Sequence, residues 1–202
     1  MIYSIHVDGI GADKFCWNRM ERRGFSVLSF YCCLSPPSMR FPWKGIWKSK
    51  VPTRVAFFTW TAVLGKLPTA DNLRKRKIVL VNRCCLCKAA EESVDHLLLH
   101  CHWAKELWGS VLSLFGVSWV MPCQVRELID CWQKGLGRHQ HSLIWKAIPH
   151  CLMWCLWREC NMRSFEDTEM GIPDLKLLLF RTLFDWMNAT GLFSFSSLQD
   201  FL

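Results

Sequence analysis

Four side chains with soft-metal chemistry stand close together in the middle of this chain. Cys84, Cys87, His96 and Cys101 follow the spacing C-x2-C-x8-H-x4-C. Two thiolates two residues apart form a knuckle that offers both sulfurs to one ion, and a histidine with a third cysteine completes a tetrahedron. Such a closed Cys3His set suits structural zinc, because it leaves no position for a reacting water. Cys85, His100 and His102 crowd the same loop and remain alternative donors. Cys84 is preferred over Cys85 because a C-x-C pair bites too tightly for a knuckle. His96 is preferred over His100 because His100 abuts Cys101, and adjacent side chains on a helix point apart. The competing reading is that these are ordinary buried thiols in a chain that holds 12 cysteines.

The charge is concentrated next to this cluster. Residues 40 to 80 hold ten cations (Arg40, Lys44, Lys48, Lys50, Arg54, Lys66, Arg74, Lys75, Arg76 and Lys77) against Asp71 alone. That window is +9 in a chain of net +8, so the remainder carries −1. A basic strip beside a zinc knuckle suits attraction to a nucleic-acid backbone, RNA or DNA, without sequence preference. Lys50, Arg54, Arg74, Lys75, Arg76 and Lys77 are the candidate phosphate contacts. Phe41, Trp43, Trp47, Phe57, Phe58 and Trp60 interleave with the cations. Their helical spacing reads as core packing in preference to base stacking. The cations at the end of the helix expected after Thr69 also complement its dipole, a structural explanation for the same charges.

Catalytic signatures are missing from the sequence. There is no paired-aspartate site for two metal ions, no glycine-rich phosphate loop, no G-x-S-x-G and no H-E-x-x-H. The expectation is therefore no enzyme and no small-molecule substrate. The N-terminus lacks a basic region followed by an apolar one, and the richest apolar stretch, Cys151 to Trp157, is too short to span a bilayer. An intracellular chain away from membranes is expected, with its cysteines reduced and available for metal or burial.

The elements that must position the cluster are helices. Lys14 to Arg19 and Gly24 to Leu28 can pair as a short β-hairpin, and Pro36-Pro37 marks the clearest break. Pro52 opens a helix with Val55, Phe58, Thr59 and Ala62 inward, and Gly65 ends it. Thr69 caps a helix running through Lys77, and Ser93 caps the one carrying His96, with Cys101 near its end. Leu107, Trp108, Val111, Leu112 and Phe115 form a stripe closed by Gly116; Val125, Leu128, Ile129 and Trp132 form another. Ser142 to Arg163 is helical, with Pro149 kinking or splitting it. Pro173 begins a last helix with Leu175, Leu178, Leu179, Leu183 and Trp186 inward. The chain reads as mainly α in three parts. Residues 1–38 are the hairpin segment and linker, 39–116 a zinc-binding domain with basic helices, and 117–202 a helical extension. At 51% apolar content it can bury a sizeable core, and its 12 tryptophans should dominate the packing.

These pieces together resemble a known family. Trp47, Val51-Pro52, Phe57-Phe58-Thr59-Trp60, Leu67-Pro68-Thr69, Asn72 to Arg76, Cys84-x2-Cys87, Glu92-Ser93, His96-Leu97-Leu98, Cys101 and Trp108 are similar to the zinc-binding domain that follows the polymerase in plant LINE-type (non-LTR) retrotransposon reverse transcriptases. Asp13, Trp17, Gly24 to Val27 and Tyr31 fit the segment upstream in that family. The later W-C-L-W-R-E-C-N-M-R-S-F resembles its C-terminal region, where Arg more often stands in place of Cys160. The resemblance covers about residues 13 to 110 and implies zinc and an accessory role on template RNA or target DNA, without the polymerase. A protein-interaction module stapled by zinc is the reading from a different class, and a decayed element copy without selected function is a third. Basic residues sharing one exposed face would favour the nucleic-acid reading.

Overall fold

A computed structural model describes residues 41–132 and 142–191. The chain separates into two units, Met1–Phe41 and Pro42–Leu202. The described residues, Phe41 apart, belong to the second. The expected β-hairpin lies outside them, and among them no strand is present. Seven α-helices follow in order: α1 (Trp43–Trp47), α2 (Thr53–Val63), α3 (Ala70–Lys75), α4 (His102–Leu114), α5 (Val125–Trp132), α6 (Ser142–Phe165) and α7 (Ile172–Ala189). A π-helical turn, His96–His100, precedes α4. None of the described helices is long and apolar enough to cross a membrane.

Local sequence explains most boundaries. Pro52 precedes α2 with extended ψ, and its carbonyl accepts from the Val55 and Ala56 amides. Gly65, at φ +64°, lets α2 close with the paired bonds Gly65 N–H to Ala62 O and Lys66 N–H to Thr61 O. Gly116 ends α4 in the same way. On α2 the residues Val55, Phe58, Thr59 and Ala62 are buried as their spacing predicts. α3 departs from expectation. It stops at Lys75, and Lys77 takes a left-handed φ of 66° without being glycine. Thr69 makes no side-chain cap; its hydroxyl turns to the Asp71 carboxylate at 2.6 Å instead.

α6 is the central element, packed against α2, α4, α7 and the π turn. It is buried on several sides, so its sequence shows little amphipathic contrast. Pro149 sits inside it without splitting it. A proline removes the amide that would bond the carbonyl four residues back, which here is that of Trp145. The Trp132 indole N–H takes that carbonyl at 2.8 Å, and the Trp145 indole donates in return to the Trp132 carbonyl at 3.3 Å. The two rings stack with centroids 4.1 Å apart. Trp108 and Trp119 pack against Trp132, and Phe115 against Trp145. α7 lays Leu175, Leu179, Leu183 and Met187 into the core, four residues apart. Leu178 and Trp186, expected inward, are only partly buried.

His150 is a buried hub. Its Nδ1 lies 2.9 Å from the Thr59 hydroxyl, and its Nε2 lies 3.0 Å from that of Ser49 and 3.2 Å from the Gly45 carbonyl, which ties α1 and α2 to α6. Burial lowers its pKa to about 4, against a small opposing effect of the Gly45 carbonyl. The unfolded chain takes up this proton below about pH 6.5 and the folded chain does not until about pH 4. Stability from this residue is therefore complete above pH 6.5 and is lost as the pH falls through that window. Between pH 7 and 4.5 the loss should be about 2–3 kcal/mol. Urea unfolding at the two pH values should show that drop in the wild type and much less of it in His150→Gln. Metal loss in acid affects both chains and cancels. An equal drop in both would refute the assignment.

Candidate metal centre

The donors arrive from two directions. Cys84 and Cys87 lie in a tight turn held by Cys84 N–H to Ala90 O at 2.8 Å and Lys88 N–H to Cys84 O at 2.9 Å, with Lys88 in the left-handed region. His96 begins the π turn and Cys101 follows it. Its N-terminus is capped by Ser93, whose hydroxyl accepts the His96 amide at 3.1 Å. In an α-helix, residues five apart diverge by about 140° around the axis. Here the Cys101 amide bonds the His96 carbonyl at 2.6 Å, an i to i−5 bond. The wider turn brings the two side chains to one side. Leu97, Leu98 and Leu99 are fully buried behind it, and the Trp108 indole satisfies the Leu98 carbonyl at 2.9 Å.

The ligand atoms of Cys84, Cys87, His96 and Cys101 all lie within 4.8 Å of one another. The Cys84 and Cys101 sulfurs are 3.9 Å apart, and Cys87 Sγ is 3.4 Å from His96 Nε2. Zinc–sulfur bonds of about 2.3 Å and zinc–nitrogen bonds of about 2.0–2.1 Å imply tetrahedral edges of about 3.8 Å and 3.6 Å. The donor set fits zinc in type, number and spacing. The bond that Cys84 donates to Cys101, with burial, pushes the Cys84 thiol up; accepting that bond lowers Cys101 in spite of its burial.

The neighbouring candidates point elsewhere. His100 Nε2 lies 3.0 Å from the Cys123 carbonyl, and His102 is exposed. Cys85 belongs to a second cluster with Glu92 and Cys160. It forms a disulfide with Cys160, with Cα atoms 5.8 Å apart. This corrects the expectation that every cysteine stays reduced. The knuckle turn presents Cys84 and Cys87 to the metal side and Cys85 to α6, where Cys160 meets it.

Two residues that sequence reasoning left without a role, Glu92 and Arg163, hold the knuckle in place, and a third, Asp95, caps α5. The buried Glu92 carboxylate accepts the Ala70 amide at 3.0 Å and the Cys85 amide at 3.2 Å, capping α3 from 22 residues away. Asp95 caps α5 through the Val125 amide at 2.8 Å. From α6, Arg163 donates to the Leu86 carbonyl, between the two knuckle cysteines, at 3.1 Å. Glu92 and Arg163 both stand among the pieces that carry the resemblance, but spacing gives neither a role, because each works through backbone groups distant in sequence.

The cations divide between two places. Lys50 and Arg54 lie between α1 and the first turn of α2; Arg74, Lys75, Arg76 and Lys77 lie on the end of α3 and just past it. All six are exposed. Lys75 pairs with Asp71 at 2.9 Å. The aromatics correct the sequence reading. Phe58 is core, whereas Trp43, Trp47, Phe57 and Trp60 are exposed. α2 carries apolar side chains on both faces, and only one face meets the core.

Comparison with known proteins agrees with this geometry. Residues 25–108 match the family described as zinc-binding in reverse transcriptase, a span that contains all four donors. This segment belongs to the reverse-transcriptase zinc-binding family. A protein of Arabidopsis thaliana described as a ribonuclease H protein is 30% identical over 165 residues, which cover 78% of this chain and 26% of that protein. The chain thus spans about a quarter of the relative's length. No solved structure matches.

Proposed function

We propose that this chain is an intracellular, non-catalytic nucleic-acid-binding part of a plant LINE-type retroelement protein. In this reading one structural zinc ion, held by Cys84, Cys87, His96 and Cys101, staples the fold. The observation that supports it most is the exposed charge of the segment that precedes the four donors in sequence. Nine cations between Phe41 and Leu80 (Lys44, Lys48, Lys50, Arg54, Lys66 and Arg74 to Lys77) are all exposed, and Asp71 is the sole acid in that span. Exposed charge of one sign along these stretches serves phosphate neutralisation and does nothing for the core.

The test is a salt titration of binding to mixed-sequence nucleic acid. Each phosphate contact contributes roughly −0.9 to the slope of log K against log salt on duplex DNA and about −0.7 on single strands. Changing Arg74, Lys75, Arg76 and Lys77 together to glutamine should flatten the slope by about two to four units. The lower end applies if Lys75 stays committed to Asp71. Zinc content should not change, since none of the four is a donor. An unchanged slope would make the cluster a solvated face and leave the protein-interaction reading as the better one.

A further inference from the structure

The exposed rings of α1 and α2 point to a substrate class within the reading just given, on which this inference rests. Trp47 is 42% exposed, Phe57 52% and Trp60 37%. They form a continuous row, Trp47 to Phe57 with centroids 5.0 Å apart and Phe57 to Trp60 at 6.2 Å, each pair edge-on. Edge-on packing fixes the rings against one another while leaving ring surface uncovered. A soluble helix gains nothing from three adjacent rings in water, since their burial would be worth far more. The row is also bordered by charge of one sign. Lys48 and Lys50 follow α1 and Arg54 lies one turn before Phe57, with no acid between Phe41 and Ala70. Trp47 further lines a groove of about 820 Å³ that Lys48, Lys50 and Trp186 also line.

Exposed rings with cations beside them match what an unpaired strand offers: bases with free faces and a regular run of phosphates. A duplex hides its base faces in the stack and presents only the backbone to such a surface. A partner helix would seek the rings but not the excess of cations. We propose that Trp47, Phe57 and Trp60 form a stacking platform for single-stranded nucleic acid, with Lys48, Lys50 and Arg54 taking its phosphates and the Trp186 groove receiving the strand at one end.

The experiment uses the full zinc-loaded chain with three probes of about 16 nucleotides, the upper end of known single-strand site sizes. They are single-stranded RNA, single-stranded DNA, and the duplex of that DNA, compared at matched salt. The unmutated chain should prefer the single strands. Trp47→Leu and Phe57→Leu, which keep an apolar side chain but remove the ring, should each weaken single-strand binding about tenfold with the salt slope and duplex affinity unaltered. Lys48→Gln with Lys50→Gln should instead flatten the slope on all three probes. The two single-strand arms show which sugar the platform takes. Should either ring variant lose helical signal, the single-strand preference of the unmutated chain decides the matter. Equal affinity for duplex and single strands, unmoved by the ring changes, would overturn this inference and leave the general nucleic-acid reading standing. No binding to any probe would overturn both.

Discussion

Zinc should leave the protein when either Cys84 or Cys101 becomes serine. Chain purified under reducing conditions is expected to carry one zinc ion per molecule, and each substitution should remove it. A serine hydroxyl is a poor donor beside three soft ligands, and the 3.9 Å sulfur–sulfur edge would lose one end. Structural zinc contributes about 10–16 kcal/mol in small zinc-finger peptides, which are unfolded without it. The global loss here should be much smaller, because Leu97 to Leu99, Trp108 and α6 form a core that does not depend on metal. The knuckle also has other anchors in Glu92 and Arg163. Elemental analysis reads the metal, and amide exchange should place the new flexibility in residues 78–93 and around the π turn. Stoichiometric zinc retained by both variants would sink the donor assignment.

Arg163→Met is expected to destabilise the fold by about 3–5 kcal/mol, the cost of stranding a buried charge. The Arg163 Nε–Glu159 Oε1 pair is 2.6 Å long with both side chains almost wholly buried. Glu159 Oε1 also accepts the Met170 amide at 2.9 Å, while Oε2 has no hydrogen-bond partner among the described residues. Arg163 stacks 4.1 Å from the Trp103 ring centre and bonds the carbonyls of Leu86 and Met170. Removing it strands Glu159 and frees the middle of the knuckle at once. The double variant Arg163→Met, Glu159→Gln should therefore recover much of the stability. It should not recover the knuckle anchor, so zinc affinity should stay about tenfold weaker, as for lost outer-shell support. Equal unfolding midpoints for the single and double variants would show that the pair contributes no coupling. Wild-type zinc affinity in both would show that the Leu86 bond is incidental.

The sequence made some of this legible and hid the rest for physical reasons. The convergence of Cys84, Cys87, His96 and Cys101 could be read because ligand type and spacing are local. The Ser93 cap and the stripes Val55 to Ala62 and Val125 to Trp132 could be read because helix periodicity is local too. The extent of α3 could not, because Lys77 adopts φ +66° without the glycine that usually announces such a turn. The π turn has no residue signature; it follows from where the Cys101 amide finds its acceptor. Cys85 with Cys160 is a pairing across 75 residues, and Glu92 capping α3 is likewise a tertiary event. Periodicity placed Trp47, Phe57 and Trp60 on helices but could not say which of two apolar faces meets the core. There the inward reading failed, and that failure marks the surface with the most chemistry left to explain.

The Trp132–Trp145 stack gives the molecule a signal of its own. Two indoles whose planes differ by 10° at 4.1 Å couple their electronic transitions, so light absorbed by one is shared with the other. Held in a fixed chiral arrangement by two reciprocal hydrogen bonds, such a dimer should produce a paired positive and negative band in circular dichroism. The amplitude depends on the geometry of this joint and not on total helix content. In a chain of 12 tryptophans, emission averages over many sites. The coupled band reports one place, the seam where α5 meets the proline step of α6, and shows whether that seam stays shut when metal is stripped from the π turn that Trp108 joins to it.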